Sequence, residues 1–70
     1  MEIMISIGSA IRKRRKLLGI NQRTLAELSG VGVNVVTRIE RDESNTSLKV
    51  LKKVLETLGM ELTTTVKMIK

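Results

Sequence analysis

An all-α fold, followed at its C-terminal end by a single β-strand, is what this sequence predicts, and three observations carry the prediction. Apolar residues recur at helical spacing in stretches that each follow a capping residue, namely Ser6, Asn21 and Ser47. Gly19, Gly30 and Gly59 fall just beyond these stretches, where a residue of positive φ ends a helix. The last eleven residues, 60–70, then change to an alternating pattern rich in β-branched side chains.

With 70 residues the chain makes one domain, near the lower limit at which burial of apolar surface suffices for folding. It has no Cys, no His, and no Phe, Tyr or Trp. Neither a disulfide nor a Cys/His metal cluster is therefore expected, and no cofactor is implied. The core has to be built from Ile, Leu, Val and Met, and so small an aliphatic core makes support from a second subunit plausible.

The first helix is predicted from the Ser6 cap to about Leu18, with Ile7, Ile11 and Leu18 forming its apolar stripe. Two readings stand for residues 1–5, a short strand or a disordered terminus, since Met1, Ile3 and Ile5 alternate with Glu2 and Met4. Asn21 caps a second helix, Gln22 to Ser29, which Gly30 ends. Gly32 caps a third, Val33 to about Arg41, whose valines are weak helix formers and need tertiary contacts through Val36 and Ile39. The polar segment Asp42 to Thr46 is a loop with room for a short helical turn. From Ser47, Leu48, Leu51, Val54, Leu55 and Leu58 form the buried face of a last helix.

Within residues 60–70, Leu62, Thr64, Val66 and Met68 fall on one face of the strand pattern. A lone strand in a helical domain lacks a partner for its backbone groups. Pairing with the same strand of a second chain supplies one, so these four residues are the expected dimer interface; a frayed tail is the alternative.

The central stretch NQRTLAELSGVGVNVVTRIE organises the rest. Leu25, Val31, Val36 and Ile39 are placed to be buried between two helices that cross steeply, Ala26 marks their closest approach, and Gly30 lies in the turn. That is the signature of a helix-turn-helix, whose second helix enters the DNA major groove.

The charge balance agrees with a polyanionic partner. There are 13 Lys and Arg against 7 Asp and Glu, a formal net charge of +6, and one basic run, Arg12-Lys13-Arg14-Arg15-Lys16. A solvated helix face would explain the run equally well. No apolar stretch approaches the ~18 residues of a membrane span, and no signal peptide is evident, so a cytoplasmic protein without a membrane partner is expected.

The residues Ile11-Arg12, Arg15, Gly19, Asn21-Gln22, Leu25-Ala26, Gly30-Val31 and Arg38-Ile39-Glu40, at these spacings, resemble the Cro/C1-type (XRE) helix-turn-helix regulators. The resemblance runs from about Ile7 to Gly59. It implies a five-helix lambda-repressor-like domain over residues 6–59, with residues 60–70 as the dimerising strand. The loop ERDESNTSL, the leucine-rich helix after it and the tail GMELTTTVK resemble more narrowly the HipB type of antitoxin-repressor. Two departures stand out. Ser29 occupies a site that is apolar in many relatives, where Leu28 is expected to take over some of the packing, and Val33 is apolar where many relatives carry a polar or basic base reader.

Candidate roles follow. On the exposed face of the recognition helix, Val33, Asn34, Thr37 and Arg38 are the expected base contacts: Asn34 for adenine, Arg38 for guanine or a phosphate, Val33 for a thymine methyl. Gln22 at the start of the second helix is the leading phosphate contact, a role the resemblance also implies. Arg23, Arg41 and Asn45 are further phosphate candidates. The resemblance implies that Arg15 and Glu40 form a structural salt bridge tying the first helix to the third. The expected protein is thus a homodimeric transcriptional regulator, by default a repressor, that binds double-stranded DNA at an inverted repeat. A HipA-like kinase toxin is a possible further partner.

Two other classes compete. An enzyme is disfavoured, because the chain has no His or Cys nucleophile, no glycine-rich phosphate loop with its lysine, and no paired carboxylates in a plausible pocket. A helical protein-interaction module without DNA function shares the same helices, and only DNA binding separates the two.

Overall fold

The structure, a computed structural model, describes residues 6–43 and 45–62. Four helices follow one another: α1 (Ile7–Leu17), α2 (Gln22–Ser29), α3 (Val33–Glu40) and α4 (Leu48–Thr57). α2 packs against both α3 and α4, and α1 packs against α3.

Local chemistry accounts for the boundaries. The Ser6, Asn21 and Ser47 side chains accept hydrogen bonds from the backbone N–H groups of Ser9, Thr24 and Val50 at 3.1, 2.8 and 3.2 Å. Each satisfies a donor that the first helical turn leaves unpaired. α3 lacks such a cap, since Gly32 offers no side chain.

All four helices stop through one device. The chain turns into left-handed conformation at Gly19, Gly30, Asp42 and Gly59, with φ of 69, 71, 57 and 69°. The next residue then returns its N–H to a carbonyl of the last turn, as Val31 does to Ala26 at 3.0 Å and Glu43 to Arg38 at 3.0 Å. Asp42 is the informative member, because a side chain in this region carries a steric cost that glycine avoids. Its carboxylate offsets that cost by accepting the Gly8 N–H at 3.0 Å, which joins the end of α3 to the start of α1.

Gly8 is the matching half of that contact. A Cβ there would collide with the Ile39 carbonyl oxygen and lie 2.8 Å from both the Glu40 carbonyl oxygen and Asp42 Oδ1. The backbones of α1 and α3 approach closely only because position 8 is bare.

The core consists of Ile11, Leu25, Ala26, Val36, Ile39, Val54, Leu55 and Leu58. Val31, Val35, Leu51, Ile20 and Met60 pack around it. Leu25, Ala26, Val36 and Ile39 therefore lie at the crossing where their spacing places them. Arg14 Nε donates to the Leu58 carbonyl at 2.9 Å and so closes the end of α4 against α1.

Several expectations need correction. Among the described residues there are four helices, not five. No further helix is seen among the described residues between α3 and α4, where the left-handed residue Asp42 redirects the chain immediately after α3. The C-terminal strand is likewise absent from the described residues. The Met60 N–H is taken by the Leu55 carbonyl at 2.8 Å in closing α4, and 60–62 continue without strand pairing. The rest of that expected strand, with Thr64, Val66 and Met68, lies outside the described residues, as does the segment 1–5.

The apolar stripes also overrun the core at their ends. Ile7 and Leu18 are 45% and 46% exposed, and Leu48 is 59% exposed. Leu28 does not substitute for an apolar residue at position 29, since it is 65% exposed. Ser29 itself is buried, and its hydroxyl donates to Thr57 Oγ1 at 2.9 Å, while the Thr57 hydroxyl lies 2.9 Å from the Lys53 carbonyl. A hydrogen-bonded hydroxyl pair thus joins α2 to α4.

Candidate nucleic-acid interface

One face of the molecule is set by the mutual placement of α1, α2 and α3. At its centre, Arg15 from α1 grips Glu40 at the end of α3. Nε meets Oε2 at 2.6 Å and Nη2 meets Oε1 at 3.0 Å, with side chains only 10% and 3% exposed. This fork-to-carboxylate geometry is the strongest form of such a pair. The remaining guanidinium nitrogen, Nη1, donates to the Ile20 carbonyl at 3.0 Å, so Arg15 also holds the α1–α2 turn.

The environment keeps both groups charged. The hydrogen bond to Glu40 raises the Arg15 pKa, against the opposing effect of burial. For Glu40, burial works to raise the pKa, but hydrogen bonds from Arg15 and Gln22, with the positive charges of Arg15 and Arg12, outweigh it and lower the carboxyl below its ordinary value.

Gln22 extends the cluster. Its Nε2 donates to Glu40 Oε1 at 3.2 Å, and its Oε1 accepts from the Thr37 hydroxyl at 2.9 Å. The Thr37 hydroxyl also lies 3.1 Å from the Val33 carbonyl one turn earlier in α3. Arg15, Glu40, Gln22 and Thr37 thus form one continuous chain of hydrogen bonds across three helices. They border a polar cleft of about 210 Å³, whose rim is completed by Arg12 and Arg41.

The other candidates are distributed around this cleft. Asn34 and Arg38 are exposed on α3, and Val33 is 44% exposed at its first turn. Arg23, Arg41 and Asn45 are exposed on α2 and on the chain leaving α3. Leu62 is exposed beyond α4. Thr37 is half-buried and turned toward Gln22.

The contacts from Gln22 to Glu40 and Thr37, and the Gly8–Asp42 clasp, escaped sequence reasoning. The glycine near the start of a helix was a signal for the second. The first had none, since no spacing rule relates positions 22, 37 and 40.

Among the described residues no group of His, Cys, Asp or Glu could hold a metal ion, and no helix is long and apolar enough to cross a membrane.

A basic surface, a second helix opening toward it and a third displaying polar side chains on it define a helix-turn-helix module. The helix-turn-helix family profile matches residues 11–64, and the chain belongs to that family, the Cro/C1-type (XRE) regulators. An HTH-type transcriptional regulator of Haemophilus influenzae is 44% identical over 48 residues, spanning 69% of this chain and 49% of that protein. The HTH-type transcriptional regulator PuuR of Escherichia coli is 33% identical over 55 residues, spanning 79% of this chain and 30% of PuuR. The chain thus spans half or less of the length of these relatives.

Among solved structures, the P22 c2 repressor in complex with a synthetic operator superposes with a TM-score of 0.77 at 29% identity, covering 83% of this chain and 88% of the repressor. A chain of the HipA–HipB–O2–O3 complex superposes with a TM-score of 0.77 at 22% identity, covering 97% of this chain and 100% of that one, a likeness of fold.

Proposed function

We propose that the protein is a sequence-specific DNA-binding transcriptional regulator, a repressor that acts as a homodimer on an inverted-repeat operator. One observation carries this reading. The exposed face of α3, with Val33, Asn34 and Arg38, is held at a set angle to the basic surface of α1 by the buried Arg15–Glu40 pair. Such a face has the donors and apolar surface that base edges in the major groove require. Arg12 and Arg41 beside the cleft, with exposed Arg23 and Asn45, supply phosphate contacts on either side. The 29%-identical P22 c2 repressor in its operator complex supports the same placement.

A homodimer follows from this reading, since one copy of α3 covers half a site. Two copies set ~34 Å apart would read successive major grooves on one side of the duplex. Leu62, Thr64, Val66 and Met68 are the proposed dimer contacts, and Leu62 is exposed. As a regulator of transcription the protein acts in the cytoplasm. A further role as antitoxin to a HipA-like kinase rests on the sequence resemblance of the loop and last helix, and co-purification of such a kinase from the native host tests it.

Selection of bound sequences from random double-stranded DNA tests the whole reading. An enriched inverted repeat with half-sites one turn apart is the expected result. Failure to enrich any sequence overturns it in favour of a helical protein-interaction module.

A further inference from the structure

The conformation of one side chain at the interface is decided by hydrogen-bond logic. A carboxylate only accepts, so Glu40 Oε1 at 3.2 Å forces the Gln22 amide to present its NH2 group there. The Gln22 carbonyl oxygen then has to face Thr37, whose single hydroxyl proton lies between that oxygen at 2.9 Å and the more distant Val33 carbonyl at 3.1 Å. Both ends of the amide are held, one by Glu40 and one by Thr37. A second Nε2 proton remains, on a residue that lines the polar cleft rimmed by Arg12 and Arg41.

We propose that Thr37 is a positioning residue for a phosphate contact rather than a reader of bases. Its hydroxyl, hydrogen-bonded to Gln22 Oε1, holds the amide so that the second Nε2 proton meets a DNA phosphate oxygen in the cleft. Thr37 sits on the recognition helix yet acts through α2. The sequence code of each half-site is then carried by Val33, Asn34 and Arg38. The assignment rests on the DNA-binding function proposed above and deepens it.

Three properties separate this role from base reading. A positioning residue changes affinity equally for all sequences, whereas a base reader changes preference at one position. Gln22 is neutral, so loss of its contact leaves the salt dependence of binding unchanged. Its effect also vanishes when Gln22 is absent.

The test uses the operator found by random-sequence selection, with wild type, Thr37→Val, Thr37→Ser, Gln22→Ala and the Thr37→Val/Gln22→Ala double variant, each checked by thermal melting. Thr37→Val, which keeps the shape and removes the donor, is expected to bind about tenfold more weakly as a dimer, as befits one weakened hydrogen bond per half-site. It should select the same consensus and keep the wild-type salt slope. Thr37→Ser should restore affinity, and Thr37→Val should add nothing to Gln22→Ala. If Thr37→Val does not fold, Thr37→Ala takes its place.

A changed preference at one base position, unchanged affinity, or full additivity with Gln22→Ala overturns the proposal while leaving the DNA-binding function intact. Absence of any wild-type binding to selected DNA removes both.

Discussion

Arg15 and Glu40, 25 residues apart in sequence, meet through two hydrogen bonds of 2.6 and 3.0 Å in the buried angle between α1 and α3. The pair fixes the orientation of α3 relative to the basic surface of α1, and through Gln22 it reaches the start of α2. Burial removes much of its net worth as a stabilising contact, because both charges lose hydration.

That balance gives the first prediction. Arg15→Ala leaves a carboxylate buried without its partner and should lower the unfolding free energy by about 3 kcal/mol, read from denaturant midpoints. Arg15→Met combined with Glu40→Leu removes both charges and should lose far less stability, while DNA affinity still falls because α3 is no longer held by a directional contact. An Arg15→Ala protein of wild-type stability and affinity would contradict the role assigned to the pair.

Acid sensitivity follows from the same carboxyl. The folded-state pKa of Glu40 is lowered, since hydrogen bonds and positive charge outweigh burial. A group with a lowered folded pKa contributes stability that is fully present above its ordinary value of ~4.3 and is lost as pH falls through the lowered folded value. The melting temperature should therefore drop below roughly pH 4. Glu40→Gln should melt lower at neutral pH and show a shallower acid decline; an unchanged decline would place its origin elsewhere.

Position 8 should be less tolerant than position 30. Gly8→Ala puts a methyl group against the backbone carbonyls of Ile39 and Glu40, neither of which can move without shifting α3. The overpacking cost is about 2 kcal/mol. At Gly30 nothing lies within 4 Å of an added Cβ, and only the positive φ of 71° opposes it, so Gly30→Ala should cost about 1 kcal/mol. Equal losses of melting temperature in the two variants would refute the close approach of α1 and α3.

Salt and base specificity separate the remaining candidates. If a dimer neutralises about eight phosphates, the logarithm of the binding constant should fall with the logarithm of salt concentration at a slope near −7. Arg41→Ala should weaken binding to all sequences alike and make that slope shallower by about 2 per dimer. Arg38→Ala should instead relax preference at one base pair per half-site, by about 1–3 kcal/mol where Arg38 pairs with guanine. Salt-insensitive binding would remove the phosphate assignments.

Much of this was legible along the chain, because the forces that set it are local. Ser6, Asn21 and Ser47 cap helices through bonds to residues three positions on, so α1, α2 and α4 begin where those residues stand. The spacing of Leu25, Ala26, Val36 and Ile39 reports burial, since a helix carries such positions on one face whatever it packs against. The charge balance, and Asn34 and Arg38 on the outer face of α3, were equally visible.

Tertiary structure decided the rest, for a physical reason. Where an apolar stripe stops being covered depends on the length of the partner helix, so Ile7, Leu18 and Leu48 lie exposed at the ends of stripes whose middles are buried. The path after α3 turned on one Asp42 carboxylate meeting a backbone N–H 34 residues away. And the working relation at the interface, Gln22 held between Glu40 and Thr37, arises from the crossing of α2 and α3. Side-chain direction across a helix crossing has no period in sequence; it exists only once the two axes are set against each other.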